Sequence, residues 1–282
     1  MAEHTSGVLN IQGAPLYYEV AGEGHPLLLI HAGIADSSMW DDQFPLFAQH
    51  YRTIRYDLRG YGQSRFPNGP FANHEDPTAL LNALDAQKAH IVGISFGSKI
   101  ALDFALTHPE RVASLILVAP SVGGTKPSKR MLTFFQEEEA LLEKGDLEAA
   151  TELNLRLWVD GLSRTPDQVI PQLRYPTLDQ VNPTVRQRVH DMQYHAFTIP
   201  EPEGAHDEAP QSPALTRLAE VRVPTLIIVG DLDLPEVLGI CAHLASDIPG
   251  ARLEFIIGAA HMVSMEKPEE FNRIALDFLS EL

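Results

Sequence analysis

The stretch HIVGISFGSKIALDFAL, residues 90–106, begins as an apolar run and continues in a helical pattern, with a serine between two glycines at the junction. Its segment GISFG, residues 93–97, fits the pattern G-x-S-x-G. A sharp turn from a strand into a helix strains its central residue, so the positions two residues away must be small. The pattern therefore predicts a turn that exposes the Ser95 hydroxyl at a helix N-terminus, where the helix dipole favours developing negative charge.

Apolar runs of strand length alternate with helical patterns on both sides of this stretch. Runs such as LLLI and LILV are apolar at every residue, which is typical of strands buried on both faces of a parallel sheet. The predicted strands are LYYEV, PLLLIHA, YRTIRYD, AHIVGIS, ASLILVAP, PTLIIVG and RLEFIIG. We therefore predict an α/β protein with a mostly parallel sheet.

The alternation is interrupted in the middle of the chain. Residues 129–160 follow a long helical pattern, and a polar, proline-rich stretch without strand signals comes next. Strands and helices that surround a helical block indicate an α/β core with an inserted cap. We expect the core at residues 1–120 and 216–282 and the helical cap at residues 121–215.

A serine nucleophile needs a base that is itself oriented by an acid, because serine is a weak nucleophile at neutral pH. His261 follows the last apolar run and so lies at the carboxyl end of a predicted strand, where open α/β sheets bind ligands. The run PTLIIVG is followed by Asp231 and Asp233 at the same edge of the sheet. These positions make His261 the candidate base and leave either aspartate open as the acid.

The composition restricts the partners and the compartment. The 282 residues carry a formal net charge of −17, which argues against binding to nucleic acid or to an anionic membrane surface. A single cysteine, Cys241, excludes an intramolecular disulfide and a cysteine-ligated metal site. The first residues lack a signal-peptide pattern, and we find no phosphate loop or clustered metal ligands. We expect a cytoplasmic protein that uses no cofactor and no metal.

Six segments together resemble the α/β-hydrolase superfamily, in the branch of small esterases, enol-lactonases and carbon–carbon bond hydrolases of bacteria. The resemblance extends over essentially the whole chain and implies a mostly parallel sheet flanked by helices, with an inserted helical cap. The segments are LLLIHAGIADSSMWDDQ, RYDLRGYGQS, HIVGISFGS, ERVASLILVAP, PTLIIVGDLD and GAAHMVSMEKPEEF.

The resemblance also implies roles for individual residues. In this family the last residue of the strand-tip motif G-[DE]-x-D is the acid, which here is Asp233, and the base is His261. The order serine, acid, histidine is the one expected of an α/β-hydrolase. The backbone N–H groups of Gly33 and Phe96 would form the oxyanion hole, although Ala32 replaces a usual glycine. The family's counterpart of His31 orders the loop and takes no part in the reaction.

The expected reaction is hydrolysis of a carboxylic ester by a Ser-His-Asp triad through an acyl-enzyme. A lactone or enol-lactone hydrolase, or a carbon–carbon bond hydrolase, stays open as an alternative. A weakly catalytic ligand-binding protein of the same fold is a third interpretation, because a fold does not establish a function. The expected partner is a small ester or lactone, and a homo-oligomer is compatible with the sequence. We expect Trp158, Phe134 and Met262 to line the substrate pocket.

Charged residues close to these motifs have structural interpretations. Lys99 lies one helical turn beyond Ser95 and is spaced to pair with Asp103 at i, i+4. Asp57 and Arg59, in RYDLRGYGQS, are predicted to hold a turn together through charge-assisted hydrogen bonds. Neither group is expected to take part in the reaction.

Overall fold

The computed structural model describes residues 4–162, 164 and 182–282. Its main sheet has eight strands in the order β1-β2-β4-β3-β6-β7-β9-β10, and a second sheet pairs β5 with β8. The strands are β1 (His4–Ile11), β2 (Ala14–Ala21), β3 (Pro26–Ile30), β4 (Arg52–Tyr56), β5 (Pro70–Phe71), β6 (Ala89–Ile94), β7 (Val112–Val118), β8 (His206–Asp207), β9 (Thr225–Gly230) and β10 (Arg252–Ile256).

The main sheet is antiparallel at one edge and parallel elsewhere. β1 pairs with β2 and β2 with β4 in antiparallel register, whereas all other neighbours in this sheet run parallel. β6 and β9 are buried at every residue, because helices cover a parallel sheet on both faces. The predicted α/β class and the mostly parallel sheet are thereby confirmed.

Helices follow the parallel strands and pack on them. α3 packs on β6 and β7, and α7 packs on β9 and β10. The helices are α1 (Phe44–Phe47), α2 (Asp76–Ala83), α3 (Phe96–Thr107), α4 (Lys129–Glu143), α5 (Leu147–Asn154), α6 (Pro183–Thr198), α7 (Pro235–Asp247), α8 (Val263–Glu266) and α9 (Pro268–Ser280). Within the described ranges, none of these helices is long and apolar enough to cross a membrane.

The helical segment, residues 129–198, lies between β7 and β9 along the chain and comprises α4, α5, α6 and a π-helical stretch, Leu155–Asp160. Its helices pack on one another, and Arg188 of α6 pairs with Asp42 of the core at 3.0 Å. The proline-rich residues 165–181 and residue 163 lie outside the described residues. The boundaries of the expected cap therefore stay a prediction.

Asp57 and Arg59, two of the three charged residues of RYDLRGYGQS, hold different parts of the chain. The Asp57 carboxylate accepts hydrogen bonds from the backbone N–H groups of Ser37 (2.9 Å) and Gln63 (2.8 Å). Arg59 instead makes two hydrogen bonds to Asp76 of α2, at 2.7 and 2.8 Å, and both side chains are fully buried. Both residues make charge-assisted hydrogen bonds, as predicted, but the partner of Arg59 lies in a helix rather than in the turn.

Candidate active site

Ser95 stands at the turn between β6 and α3 with φ 55° and ψ −115°, a conformation that costs a non-glycine residue about 1–3 kcal/mol. Its N–H donates to the Val118 carbonyl at 2.8 Å. A Cβ at Gly93 would lie 2.3 Å from the Gly97 carbonyl oxygen, and one at Gly97 would lie 2.4 Å from the Ile30 carbonyl oxygen. The two glycines are therefore required by close backbone contacts, which hold the serine in its strained position.

His261 and Asp233 form a buried pair. His261 Nδ1 lies 2.9 Å from Asp233 Oδ2 and 3.1 Å from Oδ1, and the two side chains are 4% and 1% exposed. Because a carboxylate only accepts hydrogen bonds, Nδ1 carries the proton and Nε2 keeps its lone pair. Within the part of the chain that the structure describes, the buried Nε2 has no hydrogen-bond partner. The imidazole thus offers a free base on the side opposite Asp233.

Asp231 has a different role from Asp233. Its Oδ1 accepts a hydrogen bond from the Gly258 N–H at 2.6 Å, and its own N–H donates to the Ile256 carbonyl at 3.2 Å. Asp231 therefore holds the start of the loop that carries His261. Of the two aspartates at this strand tip, Asp233 is the one placed on the imidazole.

Gly33 and Phe96 are neighbours beside Ser95. A Cβ built on Gly33 would lie 3.4 Å from the Phe96 Cβ. Phe96 is the first residue of α3, where the backbone N–H has no partner within the helix. His31 donates from Nδ1 to the Ala32 carbonyl (2.7 Å) and accepts the Leu58 N–H on Nε2 (2.8 Å), so it orders the loop. Burial lowers the pKa of His31, which keeps the ring neutral.

Tyr61 adds a contact that the sequence analysis missed. Its hydroxyl donates to the Gly33 carbonyl at 2.9 Å, and burial raises the pKa of Tyr61 to about 12. The phenol thus stays protonated and holds the Gly33 peptide. The only available signal was its place in RYDLRGYGQS, a segment already singled out for its charged residues.

A second missed contact links Arg164, which follows the π-helical stretch, to the histidine loop. Arg164 Nη1 lies 2.6 Å from Glu266 Oε2, and both side chains are almost completely buried. Glu266 also accepts the Ala260 N–H at 3.0 Å, next to His261. Burial raises the pKa of Glu266, and the Arg164 charge opposes this shift. The ion pair therefore fixes the backbone immediately before the histidine.

A cavity of about 800 Å³ is lined by the candidate residues Ser95 and His261 and also by Gly33 and Phe96. Trp158 and Phe134 of the helical segment also line it. The Trp158 ring centroid lies 4.5 Å from that of His261 and 6.0 Å from that of Phe134.

Met262, the third residue expected to line the pocket, lies elsewhere. It is fully buried in the hydrophobic core and is not among the described residues that line the cavity. Its carbonyl accepts the N–H groups of Met265 and Glu266, because the chain turns into α8 directly after His261. The expectation that Met262 lines the pocket is therefore corrected.

Lys99, one helical turn beyond Ser95, has an ordinary partner. Lys99 Nζ lies 2.9 Å from Asp103 Oδ2, which is the predicted i, i+4 pair. In the described ranges, no cluster of three or more histidine, cysteine, aspartate or glutamate side chains could hold a metal ion. The geometry therefore brings Ser95 and His261 to one cavity and places the Asp233 carboxylate on the imidazole.

A strained serine after a parallel strand and a buried histidine–aspartate pair at the same sheet edge are typical of hydrolases. Residues 25–268 match a family model described as alpha/beta hydrolase fold. The chain therefore belongs to the α/β-hydrolase fold family and is a hydrolase, which confirms the resemblance seen in the sequence.

Several of the similar proteins are hydrolases, and those named for a substrate differ in which one. A 2-hydroxy-6-oxononadienedioate/2-hydroxy-6-oxononatrienedioate hydrolase of Paraburkholderia xenovorans is 28% identical, over 94% of this chain and 90% of that protein. A putative carbamate hydrolase of Azorhizobium caulinodans is 27% identical, over 95% of this chain and 96% of that protein. Among solved structures, a hydrolase from Pseudomonas aeruginosa superimposes with a TM-score of 0.77 at 27% identity, covering 97% of this chain and 98% of that one.

Proposed function

We propose that the protein hydrolyses carboxylic esters with Ser95, His261 and Asp233 as a catalytic triad. The observation that carries this proposal is the buried and unpartnered Nε2 of His261, a residue that lines the same cavity as the strained Ser95. A base with a free lone pair, fixed in one tautomer by a buried carboxylate, is what a serine nucleophile requires.

In the proposed mechanism, Ser95 Oγ attacks the ester carbonyl carbon while His261 Nε2 takes the hydroxyl proton. The imidazolium is stabilised by Asp233, and the oxyanion accepts hydrogen bonds from the N–H groups of Gly33 and Phe96. Collapse of the tetrahedral intermediate releases the alcohol, which receives its proton from Nε2. Water then attacks the acyl-enzyme with His261 again as the base, and the acid product leaves.

The helical segment acts as the cap in this proposal. Trp158 and Phe134 cover the space beside His261, so they exclude water and shape the room for the substrate. Specificity for the acyl or alcohol part would then come from this segment, while the chemistry stays on the sheet edge.

Hydrolysis of lactones or of carbon–carbon bonds is the second candidate. The relative named for 2-hydroxy-6-oxononadienedioate matches 94% of this chain and supports the carbon–carbon reaction, and a solved structure described as an N-acyl homoserine lactone degrading enzyme, 26% identical, supports the lactone reaction. Glu138 argues against a substrate with two carboxylates, because this carboxylate lines the cavity and would repel one of them, although the cation Lys126 also lines the cavity.

A substrate panel separates these reactions. We expect purified protein to turn over p-nitrophenyl esters of short and medium acids with higher kcat/KM than 2-hydroxy-6-oxo-dienoates, because the dienoates carry a carboxylate and Glu138 presents another to the cavity. γ-Lactones complete the panel as the uncharged alternative. Each turnover is measured by absorbance or pH-stat, with the Ser95→Ala variant as the blank. Serine-dependent turnover of the dienoate alone, with no ester hydrolysed, would contradict the proposal.

Truncation of Trp158 tests the role of the helical segment. Trp158→Ala should change the ratio of kcat/KM between short and long acyl esters by about 10- to 200-fold, the effect of reshaping an apolar pocket. The matched control is Leu132→Ala, an exposed apolar residue of α4 that is not among the cavity-lining residues. Equal shifts for every ester would show that Trp158 supports His261 but does not select the substrate.

A further inference from the structure

Three polar side chains from the helical segment line the cavity that contains Ser95: Glu138 of α4, Asn154 of α5 and Gln193 of α6. Asn154 is only 2% exposed, and its amide nitrogen donates to Glu138 Oε1 at 2.5 Å and to the Ala150 carbonyl at 3.0 Å. Both amide hydrogens of Asn154 are therefore in use, and the Glu138 carboxylate is held in one orientation.

Gln193 offers an acceptor that the protein does not use. Its side chain is 4% exposed, and the buried Oε1 has no hydrogen-bond partner within the described residues. An unpaired buried acceptor costs about 1–3 kcal/mol, so a bound molecule that supplies a donor there gains affinity. Two residues that line the cavity, Glu138 and Gln193, thus carry hydrogen-bond acceptors, and the Gln193 oxygen has no donor within the described residues.

The charge of Glu138 acts on Tyr61, which lines the same cavity. Glu138 contributes, after burial, to the raised pKa of Tyr61, the residue that holds the Gly33 peptide. Burial also raises the pKa of Glu138 itself, and the Asn154 hydrogen bond opposes this shift. In the part of the chain that the structure describes, no ion pair neutralises Glu138, whereas the other cavity-lining glutamate, Glu236, pairs with Arg130.

We propose that Glu138 and Gln193 bind a hydrogen-bond donor, a hydroxyl or ammonium group, on the non-reacting part of the substrate. The inference rests on the proposed ester hydrolysis and specifies its substrate as an ester that carries such a donor and lacks a free carboxylate. A methyl group in this place would leave the Gln193 oxygen unpaired. A carboxylate would face the Glu138 charge. Sites built on buried polar groups discriminate strongly against analogues that lack the matching group.

The test uses esters of equal length that end in a methyl, a hydroxyl or a carboxylate. One series varies the acid part of p-nitrophenyl esters with four to eight carbons, and a second varies the alcohol part of acetate esters, followed by pH-stat. In at least one series, we expect wild-type kcat/KM to be roughly tenfold higher for the hydroxyl than for the methyl ester, and lowest for the carboxylate.

Two variants test whether Gln193 and Glu138 cause these differences in kcat/KM. Gln193→Leu should lower the hydroxyl-to-methyl ratio roughly tenfold, since it removes the free acceptor. Glu138→Gln should raise the relative kcat/KM of the carboxylate ester by a similar factor, because the like charge is gone. Glu139→Gln changes the same charge at an exposed position of the same helix and should leave all three ratios as in the wild type.

Binding to the Ser95→Ala variant separates this inference from the proposed reaction. Calorimetry should show the hydroxyl ester binding roughly tenfold more tightly than the carboxylate ester, and this difference should shrink when Glu138→Gln is added. Equal binding and equal turnover of all three esters would overturn the inference, even while serine-dependent ester hydrolysis continues. A binding preference without any turnover in the wild type would support the donor site and refute the proposed ester hydrolysis.

Discussion

Replacing Ser95 with alanine should reduce ester turnover by roughly three to six orders of magnitude, the loss seen when a triad member is removed. The residual rate would come from the oxyanion hole and from substrate binding. Stability should change little, because alanine has a Cβ like serine and bears the same backbone strain at φ 55°. kcat is measured with a p-nitrophenyl ester, and thermal unfolding is compared with the wild type.

Covalent labelling provides an independent readout of the same residue. A fluorophosphonate should modify the wild-type protein once, at the peptide that contains Ser95, and should leave the Ser95→Ala variant unlabelled. Mass spectrometry of the digested protein locates the label. If the variant kept more than a tenth of the wild-type rate, Ser95 would be excluded as the nucleophile.

The turn at Ser95 could be predicted from sequence because its causes are local. A Cβ at Gly93 would meet the backbone of Gly97, four positions further along the chain, and an apolar strand and a helical pattern adjoin the turn. The contact of Gly97 with the Ile30 carbonyl is distant in sequence, but the pattern G-x-S-x-G already expects a glycine there. Strands buried at every residue are equally visible in the sequence, since each position must be apolar. These features fixed the α/β class and the candidate nucleophile.

Features that depend on distant partners were not predictable in this way. The two-residue strands β5 and β8 are too short to carry a pattern, and β1 is an exposed edge strand. Glu138 and Gln193 lie 55 positions apart, on helices whose polar residues are equally typical of a solvated face. Their common cavity follows from how α4 and α6 pack, which the hydrophobic pattern of either helix alone does not specify.

The positions of Asp231 and Asp233 in the sequence did not by themselves show which one is the acid. Replacing Asp233 gives the second large expected effect. Asp233→Asn should lower kcat by about four orders of magnitude. The Leu234 N–H already binds Oδ1 of residue 233 at 2.7 Å, so an asparagine there would keep its oxygen on that donor and turn its NH₂ group towards His261. Nδ1 would then have to accept, the proton would move to Nε2, and the base would be lost. Asp231→Asn is the matched control and should cost less than about tenfold, because an amide oxygen can still accept the Gly258 N–H. Single-turnover kinetics on both variants, with thermal unfolding to confirm folding, measure the difference; comparable losses in the two variants would show that Asp233 acts only by supporting the loop.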